Sequence, residues 1–244
     1  MQKSLFEIIE NTPLTKDVWR MRLSGDTKPV TAPGQFVNIK IDGLYLRRPI
    51  SICDVEGDVL TIIYKVVGAG TEIMAKSCVG CELELLTGLG NGYDLDASGD
   101  HPLLLGGGVG VPPMYMLAKK LIKKGCHVTV VLGFNKKDEI FYEDEFRALG
   151  CETYVTTVDG SYGIKGFVTD GVPENYSYFY TCGPMPMLKA VYKACKENGE
   201  FSFEERMGCG FGACMGCSCK TITGYKRICK DGPVLKKEEI LWQN

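Results

Sequence analysis

Leu103-Leu-Leu-Gly-Gly-Gly-Val-Gly-Val-Pro-Pro113 decides the fold of the central third of this 244-residue chain. Three consecutive leucines read as a short buried strand, the glycines as a tight turn, and the two prolines as a helix start. The helix follows as Met114-Tyr-Met-Leu-Ala-Lys-Lys-Leu-Ile-Lys-Lys124, apolar on one face, basic at its C-terminal end and closed by Gly125. His127-Val-Thr-Val-Val-Leu132 is the next strand. Tyr178-Phe-Tyr-Thr181, with a helix from Met187 to Glu197, repeats the strand–loop–helix unit. Such alternation predicts a parallel α/β sheet.

Outward from this unit the pattern changes twice. Toward the N-terminus, runs such as Phe36-Val-Asn-Ile-Lys-Ile41 and Val59-Leu-Thr-Ile-Ile-Tyr-Lys-Val-Val67 are broken at Pro33-Gly34, Asp42-Gly43 and Glu56-Gly57-Asp58. Short strands at this spacing predict an antiparallel β-barrel or sandwich, and we take the barrel. Toward the C-terminus the chain becomes Cys- and Gly-rich with little periodicity, which predicts a small module held by a metal centre rather than by its own core. The expected architecture is therefore β plus α/β, with units at 1–98, 99–200 and 201–244.

Composition narrows the function. Apolar residues make up 45% and charged residues 24%, as in ordinary globular proteins, and the net charge of −2 provides no basic footprint for nucleic acid. No apolar run approaches the ~20 residues of a membrane span. Glu7 and Glu10 interrupt any signal-peptide h-region, and twelve cysteines without such a signal predict a reducing, cytoplasmic setting. Cys53, Cys126, Cys151 and Cys195 stand alone and read as small buried hydrophobes. Neither of the two histidines, His101 and His127, lies near a plausible nucleophile, which disfavours a His-based hydrolytic reading.

The chemistry starts at Cys209-Gly-Phe-Gly-Ala-Cys214-Met-Gly-Cys217, followed by an isolated Cys229. C-x4-C-x2-C…C is the plant-type spacing for a [2Fe–2S] cluster held by four thiolates. Gly208, Gly210, Gly212 and Gly216 would let backbone amides approach the sulfurs. Structural zinc favours two short C-x2–4-C pairs, which the lone Cys229 does not supply. Cys219 is surplus and packs near the cluster. Cys78-Val-Gly-Cys81 lacks a partner pair and reads as two ordinary thiols at a helix end. Since a [2Fe–2S] centre only relays single electrons, other redox groups must be sought.

Arg47-Arg-Pro-Ile-Ser-Ile52 is read as closing a strand, with arginine as a forked partner for a pyrophosphate and Ser51 as a hydroxyl for a flavin edge. Gly68-Ala-Gly70-Thr71 links the strand ending near Val67 to a helix from Glu72 to Ser77. Thr71 is expected as its N-cap, leaving free amides for phosphate. Gly106 to Gly110 is not a G-x-G-x-x-G and no acidic residue follows about twenty positions on, so the dinucleotide fingerprint fails. A Gly-rich turn before a helix still presents amides to a diphosphate. Thr181-Cys-Gly-Pro-Met185 should reach the same sheet edge. Lys136 and Lys137 could read a 2′-phosphate but are taken as a solvated pair.

Taken together, Arg48-Pro-Ile-Ser51, Ile63-Tyr-Lys65, Gly70-Thr71, Gly106 to Pro113, Gly160-Ser-Tyr-Gly163, Cys182-Gly-Pro184 and Glu205-Arg-Met-Gly-Cys209 occur in an order that resembles electron-transfer subunits of the dihydroorotate dehydrogenase B complex. These belong to the ferredoxin-reductase superfamily. The resemblance implies that Arg48, Pro49, Ile50, Ser51, Ile63, Tyr64, Lys65, Gly70 and Thr71 contact FAD. It implies that Gly107, Gly108, Gly110, Cys182, Gly183 and Pro184 serve NAD, and that Cys209, Cys214, Cys217 and Cys229 hold the cluster. No residue is assigned a catalytic role, because hydride passes directly between the two cofactor rings.

The resemblance further implies a heterotetramer with an FMN-containing catalytic subunit, two of each chain, in pyrimidine biosynthesis. Electrons would run from FMN through [2Fe–2S] and FAD to NAD+, with NAD favoured over NADP. Phe211 and Met215 are the expected contact surface. Two departures stand out: Lys65 where the family often has Arg, and a short Cys217–Cys229 loop. Two other readings remain open at this point: an NAD(P)H-linked reductase subunit serving another partner, and a zinc-binding interaction module.

Overall fold

The computed structural model describes residues 1–242. Strands β1 (Gln2–Pro13), β2 (Val18–Ser24), β3 (Phe36–Ile39), β4 (Arg48–Glu56) and β5 (Val59–Lys65) are followed by helix α1 (Ala69–Lys76) and β6 (Glu82–Leu89). The six strands close in the order β1-β2-β5-β4-β3-β6, each pair antiparallel. Alternation explains the barrel. Leu60, Ile62 and Tyr64 of β5 fill the interior with Val37 and Ile39 of β3, while Ile63 faces outward into a different cluster.

The second layer contains β7 (Pro102–Gly107), α2 (Pro112–Lys123), β8 (Thr129–Phe134), α3 (Glu143–Ala148), β9 (Glu152–Thr157) and β10 (Ile164–Lys165). It continues with β11 (Tyr178–Cys182), α4 (Met185–Ala194) and β12 (Gly199–Ser202). The tail adds the hairpin β13 (Ser218–Thr221) and β14 (Gly224–Arg227), the short helix α5 (Ile228–Asp231) and β15 (Val234–Lys236). The sheet order is β10-β9-β8-β7-β11-β12-β15, parallel except for β15. Chain order reverses between β7 and β11. That crevice, at the carboxyl ends of the strands, is where open α/β sheets bind ligands.

Three features differ from the sequence reading. The Arg48-Pro-Ile-Ser51 segment opens β4 rather than closing a strand, because the Asp42-Gly43 turn ends β3 at Ile39 and leaves 44–47 as a loop. The tail does not rely on a metal centre alone. Met207, Ile228 and Ile240 share a buried cluster with Leu105, Phe179 and Phe201 of the sheet. And Cys78 and Cys81 are brought side by side by a turn in which the Cys81 amide donates to the Cys78 carbonyl at 3.2 Å, rather than standing apart. Of the four solitary cysteines, Cys53, Cys151 and Cys195 are buried, whereas Cys126 is partly exposed and donates to the Gly99 carbonyl.

Barrel and sheet are firmly apposed. Lys119 of α2 pairs with Asp54 at 2.7 Å and Glu56 at 2.6 Å on β4. In the linker, Tyr93 Oη donates to the Thr181 carbonyl at 3.2 Å, and the Asp94 amide donates to Glu200 Oε2 at 2.9 Å. Asn91 exchanges two hydrogen bonds with the Val234 backbone, at 2.7 and 3.0 Å, and so ties the linker to the edge strand.

Candidate functional site

The phosphate-directed residues of the barrel converge. Gly70, in the first turn of α1, lies so close to the Arg48 guanidinium that a Cβ would collide with it. The guanidinium therefore sits over a helix N-terminus whose first-turn amides have no intrahelical acceptor. The structure separates the two adjacent arginines: Arg47 is bound to Glu84 and to the backbone of Asn38, and only Arg48 reaches α1. Thr71 is not the N-cap. Gly68 holds that position, and Thr71 is the third helical residue, its hydroxyl accepting from the Val67 and Gly68 amides at 3.0 and 3.3 Å. The helix begins three residues early because Ala69, Gly70 and Thr71 are drawn into the first turn.

The other proposed flavin residues are distributed by strand alternation. Pro49, Ile50 and Ser51 are half-buried on β4. Ile63 is buried against the sheet, in one cluster with Leu104, Met114 and Cys182. Tyr64 turns inward and donates to Asn11 Oδ1 at 3.0 Å, so only its main chain faces outward. The Lys65 ammonium lies 3.0 Å from Asp17.

At the switch point the two loops touch. Gly110 is packed against the Cys182 carbonyl, and Met187 lies against both Gly107 and Gly183, leaving no space for a Cβ at any of the three. Pro184 is the N-cap of α4 and contacts Gly107. Gly108 adopts φ 52° with open space beside it, which leaves the turn's backbone approachable. Cys182 is buried, and burial pushes its thiol up to about 12, so it is no nucleophile at neutral pH. Lys137 lies 5.9 Å from the Tyr162 ring centroid and Lys136 4.0 Å from Asp138, a solvent-side arrangement.

Four of the five cysteines of the tail interact as two pairs, Cys209 with Cys214 and Cys217 with Cys229. Among the described residues no three His, Cys, Asp or Glu side chains are already gathered around a single metal position. Two pairs suit two irons, each of which takes two thiolates. Amides support the sulfurs: Ala213 and Cys214 donate to Cys209 Sγ at 3.2 and 3.5 Å, and Cys229 donates to Cys217 Sγ at 3.4 Å. Burial raises the Cys209 thiol, but the amides of Cys214, Phe211 and Ala213 outweigh it and bring it down to about 6. Cys229 is pushed up to about 12 by burial and by Cys217. Gly210 and Gly212 turn the loop at φ 80° and 91°. Cys217 and Cys229 are buried, Cys214 is exposed, and Phe211 and Met215 project beside it. Cys219 lies partly buried on β13.

Two contributors escaped sequence reading. Met187 occupies the gap between the glycine loops, and Asn38 of β3 donates to the Cys209 carbonyl. Both carry residue types with no motif signal.

Comparison with known proteins agrees with this geometry. Residues 204–241, which include all four paired cysteines, match the family model described as the iron-sulfur cluster binding domain of dihydroorotate dehydrogenase B. Residues 104–193, spanning both glycine loops, match an oxidoreductase NAD-binding domain. The chain is 48% identical to the dihydroorotate dehydrogenase B (NAD(+)) electron transfer subunit of Fusobacterium nucleatum, with 95% of each chain covered. It is 44% identical to the subunit of the same name from a Geobacillus strain, with 99% of each covered. Among solved structures, an NADH-dependent reduced ferredoxin-NADP oxidoreductase superposes with a TM-score of 0.87 at 30% identity, covering 97% of this chain and 90% of that one. An Amycolatopsis cytochrome P450 reductase shares the fold at a TM-score of 0.70 and 23% identity, covering 79% of this chain and 65% of that one. Identity at this level over nearly the full length, on this site geometry, places the chain in the family of dihydroorotate dehydrogenase B electron transfer subunits.

Proposed function

We propose that the chain passes electrons from dihydroorotate oxidation, carried out on FMN in a partner catalytic subunit, to NAD+ in cytoplasmic pyrimidine biosynthesis. FAD supplies the exchange between a hydride pair and single electrons, and a [2Fe–2S] cluster carries those electrons one at a time. The observation that carries this reading is the meeting of three sites. Ile63 of the barrel and Cys182 of the sheet share one buried cluster, while Cys209 of the tail is hydrogen-bonded from the same barrel.

In this reading Arg48 and the N-terminus of α1 bind the FAD pyrophosphate, with Gly70 giving the guanidinium room and Thr71 bracing the first turn. Pro49, Ile50 and Ser51, with the Ile63–Lys65 backbone, border the flavin ring. Gly107, Gly108 and Gly110 present the turn to the NAD diphosphate, and Cys182, Gly183 and Pro184 border the nicotinamide. Cys209 with Cys214 holds one iron, and Cys217 with Cys229 holds the other. The working units remain 1–98 for FAD, 99–200 for NAD and 201–244 for the cluster. Exposed Phe211 (42%) and Met215 (55%) beside Cys214 form the surface for the catalytic subunit, in a heterotetramer of two of each chain. Among the described residues none is assigned as a base for dihydroorotate, and in this reading that proton leaves in the partner. Identity of 48% to a dihydroorotate dehydrogenase relative, against 30% to the ferredoxin-NADP oxidoreductase, favours this partner over a ferredoxin.

Cys217→Ser tests the relay. The variant should retain FAD and reduce artificial dyes with NADH, yet lose the cluster's electron paramagnetic resonance (EPR) signal and NAD-linked dihydroorotate oxidation with the partner subunit. Full coupled activity without the signal would refute the proposal.

A further inference from the structure

Asn38 lies on β3 directly across the ladder from Pro49 of β4 and is 1% exposed. Its neighbours Val37 and Ile39 point into the barrel, so its own side chain leaves the barrel wall. There Nδ2 donates to the Cys209 carbonyl at 3.3 Å, and Gly210 approaches the same nitrogen so closely that a Cβ could not fit. The strand beneath is braced, since the Asn38 carbonyl accepts from Arg47 Nη1 at 3.3 Å. Oδ1 is buried with no hydrogen-bond partner among the described residues. An unpaired buried acceptor is unfavourable, and leucine would fill a similar volume without that penalty. Packing alone does not account for an amide here.

We infer that Asn38 is a positioning residue for electron exchange between the barrel and the cluster: it fastens the Cys209–Gly210 peptide to the strand pair that carries Pro49. The peptide is planar and trans, so holding its carbonyl toward the barrel turns the Gly210 N–H to the opposite side, away from the barrel. One side chain thus sets both the separation of the cluster loop from the flavin wall and the orientation of the peptide that follows the first ligand. The inference rests on the function proposed above.

The test uses the full-length protein carrying FAD and cluster. NADH reduces the flavin, and rapid-freeze EPR follows the transfer in which the flavin loses one electron and the cluster gains one. Asn38→Leu should slow that transfer severalfold, because releasing the Cys209–Gly210 peptide lets the cluster loop move away from the barrel wall. It should also shift the cluster's midpoint potential, which hydrogen bonding near the sulfurs tunes. FAD content and NADH-driven dye reduction should stay at wild-type values. Asn38→Asp separates positioning from bulk: its carboxylate repels the Cys209 carbonyl, whereas the protonated form donates to it. Transfer in this variant should recover as pH falls, and Asn38→Leu should show no such recovery. If Asn38→Leu sheds iron, the pH response of Asn38→Asp carries the comparison. Wild-type rates and EPR signals in both variants overturn the inference alone. Wild-type protein without flavin or iron overturns the underlying function, and the inference with it.

Discussion

The backbone carbonyl of Cys182 occupies the space that a Cβ on Gly110 would need. This close approach joins the ends of β7 and β11 at the switch point, and it makes the two nucleotide loops a single surface. Gly110→Ala must push them apart. Overpacking of this kind costs about 1–3 kcal/mol, and we expect it chiefly as weaker NADH binding. A KM for NADH raised roughly tenfold, the equivalent of about 1.4 kcal/mol, with an unchanged flavin spectrum is the outcome to look for in dye-reduction assays. An unaltered KM would show that the loops do not meet the dinucleotide.

Arg48 and Gly70 allow a parallel test at the flavin. Gly70→Ala drives a methyl group into the guanidinium without removing any charge, and Arg48→Ala removes the charge itself. A charge-assisted hydrogen bond contributes about 1.5–3 kcal/mol, so Arg48→Ala should weaken FAD binding on the order of tenfold to a hundredfold. Flavin fluorescence on dilution measures the release. Iron content should not change in either variant, because neither substitution removes a cysteine of the cluster loop or the Asn38 amide bonded to it. Full FAD retention by both would exclude the pyrophosphate role.

Glu200 sets a pH dependence. Burial raises its carboxyl to about 7, with the Asp94 amide pulling the other way. From its ordinary value of 4.5 up to about 7, the folded chain holds a proton that the unfolded chain has released. Stability therefore falls as pH rises through that window. Glu200→Gln keeps an acceptor for the Asp94 amide and removes the titrating group. It should be more stable than wild type at pH 8 by about 1–3 kcal/mol, with the difference vanishing toward pH 4.5. Thermal melts at both pH values decide it. Equal melting temperatures at pH 8 would mean that the carboxylate is satisfied when charged.

Much of this was legible because the informative signals are local. The strand–glycine–proline run from Leu103 to Pro113 specifies β7 and α2 within a residue or two, and the cysteine spacing specifies the paired thiols. What could not be read is long-range. Asn38 sits in an alternating strand, where a polar residue usually signals solvent; its partner Cys209 is 171 positions away. The approach of Cys78 to Cys81 depends on the turn that follows α1, which local composition does not specify. The tail read as coreless because its apolar residues are widely spaced. They are sufficient only because Leu105, Phe179 and Phe201 complete the cluster from the sheet. Tyr64 matches a flavin motif in sequence, yet its inward orientation follows from the pleat of β5.

The antiparallel edge strand β15 has an implication for transplanting this tail into other reductases. Residues 203–233 leave the sheet from β12 and rejoin it beside the same strand, with Asn91 bonded to the returning segment. Entry and exit of the iron-binding excursion are thus pinned side by side, as a loop is held by a clasp. A chimaera that ends at the last cysteine would leave one side of that clasp open. A viable graft has to carry Val234–Lys236 along and supply a recipient asparagine at the place of Asn91.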